Sequence, residues 1–498
     1  MLLASLLAGA LAIAGFAPLG FWPLPAVSLA VLFTLLARTT SMRAGFLIGL
    51  AWGLGFFVAG VSWVFISLSV YGGMPAWLAA LATLLFCTML ALFPAIVGAL
   101  QAYPKEHESW AVSPTLRLLV VMPLLWGVTE WVRGWFFTGF PWLVAGYSQV
   151  PDSPLAGYAP LVGVYGVSTL LALIAALLAW NMTTRAPFVR RAWALVTIVA
   201  LGVGGQALRG VTWTTPDGAP TTVALLQGNI PQEMKWQPEK TRATLEKYAR
   251  MAATSPARLI VLPETALPLF ESDLPAFYRD GLVSLGRQNR GDILAGLPTG
   301  SLKGAYYNSV ISFGSAPSQR YHKVHLVPFG EYIPLKAMWG WVVKVLHIPL
   351  SDFARGTTGQ RPLAIGGQRV AANICYEDAF GEEIIRQLPE ASVLVNVSNL
   401  AWFGDSFAPW QHAQMSQMRA LETGRMMLRA TNTGVTAIID ARGRVLASLP
   451  LFTTGSLSGE IQGYAGSTPY VRWGNAPVLV LWGGVGVWLL IAGFRRQP

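Results

Sequence analysis

The chain has 498 residues, of which 53% are hydrophobic and only 12% charged, with a formal net charge of +11. An average soluble protein carries roughly 25% charged residues, so the composition excludes a wholly soluble chain. The basic excess lies largely in short loops and forms no stripe, which argues against a nucleic-acid partner. The acids are unevenly spread: outside residues 210–472 only Glu106, Glu108, Glu130 and Asp152 occur. The pattern is that of a polytopic membrane protein with an ordinary globular insert.

A bilayer-spanning helix needs about 20 mostly apolar residues. Apolar runs near 2–18, 24–38, 44–68, 76–101, 114–134, 159–181, 191–209 and 474–494 predict eight spans. The first has no Lys or Arg ahead of its apolar core and reads as an uncleaved helix rather than a signal peptide. Arg38 and Arg43, Lys105, Arg185, Arg190 and Arg191, and Arg495 and Arg496 fall on one set of connections, with Arg117 just inside the fifth span on the same side. The alternate connections, 19–23, 69–75 and 135–158, contain no Lys or Arg. The positive-inside rule then puts both termini in the cytoplasm and the insert outside, in the periplasm where the cell has one. The expected organisation is a membrane domain of seven helices over 1–209, a soluble domain over 210–472, and an eighth helix with a cytoplasmic tail over 473–498.

Within the insert, 222–227, 259–262, 293–296, 309–313, 370–374 and 392–397 are apolar runs of strand length, and 238–254 has helical spacing. Residues 435–439 followed by Ala441-Arg-Gly-Arg444 predict a hairpin. Many short strands, some joined by helices, suggest an α/β layered domain with sheets packed inside helices.

Three sites in the insert share one form, a reactive side chain just after an apolar strand. Leu259-Ile-Val-Leu-Pro-Glu264 delivers a carboxylate, Arg320-Tyr-His-Lys323 an ammonium with Glu331 eight residues on, and Asn373-Ile-Cys375 a thiol. Strand ends are where α/β folds collect functional groups. A thiol near pKa 8.5 is mostly protonated at neutral pH and needs a base or a cation nearby; Glu264 can supply the first and Lys323 the second. A lone cysteine after a strand is most often a packing residue, the reading given to Cys87. The two partners in chain order set Cys375 apart. The five histidines show no metal-ligand spacing, so neither a metal nor another cofactor is expected.

Glu, then Lys, then Cys, each behind a strand, resembles the nitrilase superfamily. The resemblance extends to Gln227-Gly-Asn-Ile-Pro-Gln232, Pro263-Glu-Thr-Ala266, Tyr307-Asn-Ser309, Val327-Pro-Phe-Gly-Glu331, Cys375-Tyr-Glu377, Asn399-Leu-Ala-Trp-Phe-Gly-Asp405 and Arg429-Ala-Thr-Asn432. With Gly15-Phe-Ala-Pro-Leu-Gly-Phe21 and Thr138-Gly-Phe-Pro-Trp142 in the apolar part, these are similar to the membrane branch of that superfamily, the apolipoprotein N-acyltransferases. Leu400 is a departure at a noncatalytic position. The resemblance implies an αββα catalytic domain and an acyl chain passing from a phospholipid to Cys375 as a thioester. It then passes to the α-amine of the N-terminal S-diacylglyceryl cysteine of an apolipoprotein. It implies Glu264 as general base, Lys323 with the Tyr376 N–H as oxyanion donors, and Glu331 and Glu377 as acids that orient Lys323 and the amine. Asn308 is a further supporting candidate, with a turn cap as the plainer reading.

Lipid-contact candidates are Trp236, Trp339, Trp341, Trp402 and Phe403, with Glu130 and Arg133 near the outer end of the fifth span. Intramembrane charges default to functional hypotheses, although an i,i+3 ion pair is the simpler account of Glu130 and Arg133. The apolar stretch 336–350 reads either as a core helix or as an arm dipping into the outer leaflet. Two other functions fit parts of the sequence: a membrane-tethered amidase, in which water resolves the thioester, and a transporter or receptor with an external domain.

Overall fold

The computed structural model describes residues 1–103, 113–235, 237–334 and 352–494. The chain divides into two compact units, one of residues 1–64, 77–211 and 472–498 and the other of 65–76 and 212–471.

The first unit is helical. Five of its described helices are long and apolar enough to cross a membrane: Met42–Val61, Ala76–Leu100, Pro114–Arg133, Pro154–Thr183 and Phe188–Leu208. The expected spans at 2–18, 24–38 and 474–494 correspond to shorter apolar helices, Leu2–Gly15, Leu24–Ala37 and Ala476–Leu489. The expected third span over 44–68 stops early, its helix ending at Val61. Small residues let these helices approach closely, as membrane helices do where no solvent drives them together. A Cβ on Gly45 would lie 2.0 Å from the Gly98 carbonyl oxygen, and one on Gly49 would lie 2.2 Å from that of Pro94.

The second unit is α/β. In chain order its strands are β1 (Thr214–Pro216), β2 (Thr221–Gln227), β3 (Leu259–Val261), β4 (Asp292–Gly300), β5 (Tyr306–Gly314), β6 (Arg320–His322) and β7 (Leu363–Ile365). They continue with β8 (Gln368–Ile374), β9 (Val393–Ser398), β10 (Met427–Thr431), β11 (Ala437–Ile439), β12 (Val445–Ser448), β13 (Gly455–Ile461) and β14 (Tyr464–Gly466). One six-stranded sheet has the order β13-β2-β3-β4-β5-β6 and another β12-β11-β10-β9-β8-β7, while β1 and β14 pair separately. Strands β2, β3 and β4 run parallel, as do β8, β9 and β10. The expected hairpin is β11–β12.

Strand side chains alternate between faces, and here both faces of each sheet are buried. Val223 and Leu225 of β2 join Leu259, Val261, Val370, Ile374, Val393 and Val395 in a core between the two sheets. Ala224 and Leu226 point the other way, onto helices Pro238–Ala253 and Ala276–Gln288. The second sheet turns Ala371, Leu394 and Met427 toward helix Ala408–Thr423. The layers are therefore helix, sheet, sheet, helix. Burial on both faces explains why these strands read in the sequence as continuous apolar runs rather than alternating ones.

Candidate active site

Glu264 lies three residues beyond β3, on a turn that passes against β4. A Cβ on Gly296 of β4 would stand 2.5 Å from the Pro263 carbonyl oxygen and 2.8 Å from the Glu264 Cα. Only glycine admits that approach. Lys323 follows β6, and its N–H donates to the Asn308 carbonyl at 2.8 Å, prolonging the β5–β6 ladder by one residue. Glu331 closes a tight turn in which its own N–H donates to the Val327 carbonyl at 2.9 Å and its Oε2 accepts from the Val327 N–H at 2.9 Å.

These turns bring four side chains together. Lys323 Nζ lies 2.8 Å from Glu331 Oε2 and 3.5 Å from Glu264 Oε1. Asn308 Nδ2 donates to Glu264 Oε1 at 2.8 Å and to Glu331 Oε1 at 2.7 Å, so one amide tethers both carboxylates. The second oxygen of Glu264 accepts from the Asn399 N–H at 2.8 Å. All four are buried, Lys323 at 1% exposure. Burial alone would pull the Lys323 ammonium down, but the carboxylates of Glu331 and Glu264 outweigh it and hold the pKa above its ordinary value. Lys323 is a permanent cation.

Cys375 follows β8 directly and opens the short turn Cys375–Ala379 with φ +53°, a left-handed conformation costly for a residue with a Cβ. The side chain is half-buried. Burial and the carboxylates of Glu264 and Glu331 push its thiol up to about 12, against the downward pull of Lys323 and Arg429. The thiol is thus neutral at rest, and an attack by its sulfur would require a base that removes the proton as the bond forms. Glu264, held by Asn308 and Asn399, has the fixed orientation that such a base needs.

Two expectations change in detail. Glu377 does not act on the Lys323 ammonium through a hydrogen bond but laces backbone together. Its Oε1 accepts from the N–H groups of Val324 (2.6 Å) and His325 (3.1 Å) and from the Tyr321 hydroxyl (2.9 Å), and its Oε2 accepts from the Ile374 N–H (2.7 Å). It ties the segment after Lys323 to the turn that carries Cys375. Burial raises the Glu377 pKa to about 7, while Lys323 and those backbone donors restrain it. Glu130 and Arg133, in the helical unit, face protein rather than headgroups. Arg133 Nη1 donates to the carbonyls of Phe140 (2.7 Å) and Trp142 (2.6 Å), and Glu130 accepts from the Ala145 N–H (3.0 Å) and the Ser168 hydroxyl. The pair pins the segment that follows its helix because that segment's backbone groups need partners away from water.

The Tyr376 ring packs edge-on to Phe380, with centroids 5.1 Å apart, and beside His325. Trp402 and Phe403 lie on the short turn Ala401–Phe403, both half-buried. The Trp402 carbonyl accepts from the Ser67 hydroxyl at 2.8 Å, and the indole meets the Tyr71 ring. Trp236, Trp339, Trp341 and the rest of 336–350 lie outside the described residues.

The sequence reading missed Lys235, Asn399 and Gln232 as neighbours of the site. Lys235 is buried and donates to the Glu264 main-chain carbonyl at 3.1 Å. Burial pulls its pKa down to about 8, partly countered by Glu264 and Cys375. Asn399 Nδ2 donates to Gln232 Oε1 at 2.7 Å. Both motifs that contain or precede these residues were visible, but nothing local to them shows that they meet.

The α/β unit belongs to the carbon-nitrogen hydrolase class, since residues 222–470 match that family model. Residues 8–177 match the apolipoprotein N-acyltransferase N-terminal domain. The apolipoprotein N-acyltransferase of Nitrosomonas europaea is 52% identical over 494 residues, covering 99% of this chain and 96% of that relative. Those of Chromobacterium violaceum and Methylococcus capsulatus are each 46% identical, over 100% of this chain and 95% and 97% of theirs. The chain belongs to the apolipoprotein N-acyltransferase family.

Proposed function

We propose that the chain acylates the α-amine of the N-terminal S-diacylglyceryl cysteine of apolipoproteins, using a phospholipid as donor and Cys375 as the acyl carrier. Glu264 takes the thiol proton as Sγ attacks the ester carbonyl. Lys323, with the Tyr376 N–H, stabilises the oxyanion; such donors contribute about 3–4 kcal/mol each. The tetrahedral intermediate expels the glycerol alkoxide, which takes the proton back from Glu264 and leaves as a lysophospholipid. The neutral acceptor amine then attacks the thioester; Glu264 takes its proton and returns it to the departing thiolate. Two half-reactions through one covalent intermediate give ping-pong kinetics.

The observation that carries this reading is the buried Glu264–Lys323 pair, both of whose charges act on the Cys375 thiol. Glu331 and Asn308 support it by holding Lys323 and Glu264 in place. The organisation that suits it is a membrane part of residues 1–209 and 473–498, eight spans, cytoplasmic termini, and a catalytic domain of 210–472 on the periplasmic face. The five long apolar helices and the lysine- and arginine-free connections support that topology. Trp236, Trp339, Trp341, Trp402 and Phe403 are the residues assigned to lipid contact, on the preference of aromatic side chains for membrane interfaces.

The test is mass spectrometry of the purified protein incubated with phospholipid alone. An acyl adduct on the Cys375 peptide, discharged as an amide when a diacylglyceryl peptide is added, is expected. An adduct that instead yields only free fatty acid, whatever amine is offered, would point to hydrolysis.

A further inference from the structure

Behind the nucleophile lies a buried polar network that the acyl transfer itself does not use. We infer that Arg429 orients both His412 and Asn396 to donate to the main-chain carbonyl of Cys375, making His412 and Arg429 positioning residues for the nucleophile. The inference rests on Cys375 being the acyl carrier.

The hydrogen-bond directions follow from elementary chemistry. Arg429 Nη2 lies 2.8 Å from His412 Nδ1. A guanidinium only donates, so Nδ1 is the acceptor and the ring proton sits on Nε2. That nitrogen lies 3.1 Å from the Cys375 carbonyl oxygen and donates to it. Arg429 Nη1 also donates to Asn396 Oδ1 at 3.1 Å, and the Ser398 hydroxyl donates to the same oxygen at 2.6 Å. The amide nitrogen of Asn396 must then face the other way. There it donates to Asn373 Oδ1 at 2.5 Å and to the Cys375 carbonyl at 3.2 Å. One arginine therefore sets the polarity of two donors that converge on one oxygen.

That oxygen belongs to a residue held at φ +53°. Such a conformation persists only when its surroundings over-determine it. Because the peptide unit is planar, two donors on the Cys375 carbonyl fix the plane it shares with Tyr376. They fix with it the direction of the Tyr376 N–H, the expected oxyanion donor. Arg429 is itself held by the Val435 carbonyl (3.1 Å), the Ser416 hydroxyl (2.8 Å) and Asp378 Oδ2 (3.4 Å). His412, Asn396 and Arg429 are all buried, at 1%, 0% and 0% exposure, so water does not replace a lost donor at small cost. Burial and the Arg429 charge hold the His412 pKa well below its ordinary value, consistent with a neutral ring.

The test compares two polar replacements in the full-length protein. In His412→Gln the side-chain amide nitrogen reaches the position of Nε2 and keeps the bond to the Cys375 carbonyl. In His412→Asn the shorter amide still accepts from Arg429 but cannot reach that carbonyl. Single-turnover acylation of Cys375 by phospholipid is followed by mass spectrometry beside the melting temperature of each variant. Misplacement of a reacting group by about 1 Å costs about 100-fold; His412→Asn is expected to slow acylation by that order and His412→Gln by much less, without the rates following the melting temperatures. Equal rates in the two variants, a slower His412→Gln, or a loss that tracks melting temperature overturns the inference. Should His412→Asn not fold, Asn396→Ser removes the other donor. Measured well below the melting transition of the variant, acylation slower than in the parent is expected, and an unchanged rate overturns the inference. Cys375→Ala is the separate control, because an adduct persisting there would overturn the acyl-carrier reading and not the positioning role.

Discussion

Each unit of the molecule buries an acid beside a base, and the two sites spend their charges differently. In the helical unit Glu130 and Arg133 stand 3.8 Å apart, and both also bond the backbone of 140–145, with Glu130 accepting from the Ser168 hydroxyl as well. In the α/β unit Lys323 sits between Glu331 at 2.8 Å and Glu264 at 3.5 Å. There Glu331 and Asn308 hold Lys323 and Glu264 in place, and the Glu264 charge still acts on the Cys375 thiol. A buried ion pair is therefore not a functional mark by itself. What distinguishes the second site is a neutral thiol inside its field and a pair of polar groups, Asn308 and the Asn399 N–H, that fix the Glu264 carboxylate.

The largest expected effect belongs to the nucleophile. Cys375→Ala should leave no acyl adduct and no transfer, and Cys375→Ser should fall nearly as far, because a serine alkoxide is much harder to form beside one carboxylate. Retention of more than a trace of acylation in Cys375→Ala would remove the covalent step. Next come the two charges that distinguish the catalytic pair. Glu264→Gln and Lys323→Met should each lower the single-turnover acylation rate by about 100-fold or more. Normal adduct formation in either would reduce this pair to the standing of Glu130 and Arg133.

Substitutions at the structural pair sharpen the contrast from the other side. Arg133→Met strands a buried carboxylate and two carbonyls, and breaking such a pair costs about 3–5 kcal/mol. Thermal melting should show a clear loss, while the acylation rate per folded molecule stays close to the parent value. A lowered rate at an unchanged melting temperature would give Arg133 a part in the chemistry. Glu377→Gln should fall between the two classes. Its carboxylate accepts from four donors, and an amide would turn an N–H toward at least one of them. Each unsatisfied buried donor costs about 1–3 kcal/mol, so the melting temperature and the acylation rate should fall together.

The last comparison concerns pH and needs no substitution. Because the Cys375 pKa is raised to about 12, the thiolate fraction grows about tenfold per pH unit across the neutral range. Alkylation of Cys375 by iodoacetamide should therefore rise from pH 7 to 9 without levelling. A plateau near pH 7 would mean a preformed thiolate, and the role given to Glu264 as the base that removes the thiol proton would fail.

Several features of this protein were legible residue by residue. Cys375, Glu264 and Lys323 each follow an apolar strand, and strand ends in a layered α/β domain converge. Glu331 was visible eight residues beyond Lys323, in a Val327-Pro-Phe-Gly-Glu331 motif whose resemblance to the superfamily suggested its role. Hydropathy located the apolar segments, but it measures composition rather than helix continuity. It therefore predicted a third span of 44–68 where the helix ends at Val61.

What composition and local pattern determined was the separation into an apolar helical part and a globular insert, the strands of that insert, and the reactive groups at their ends. Only the tertiary structure decided how those groups are held. Asn308 tethers two carboxylates because β5 lies beside β6, and Asn399 reaches Glu264 across 135 residues of chain. His412 meets Cys375 because a helix is laid on the second sheet. Likewise, Glu130 and Arg133 looked like candidates for lipid contact until the folded chain supplied their partners. Burial and hydrogen-bond satisfaction are properties of the whole packed chain. A side chain's neighbours across a sheet or a layer are set by register and stacking, which no local stretch of sequence encodes.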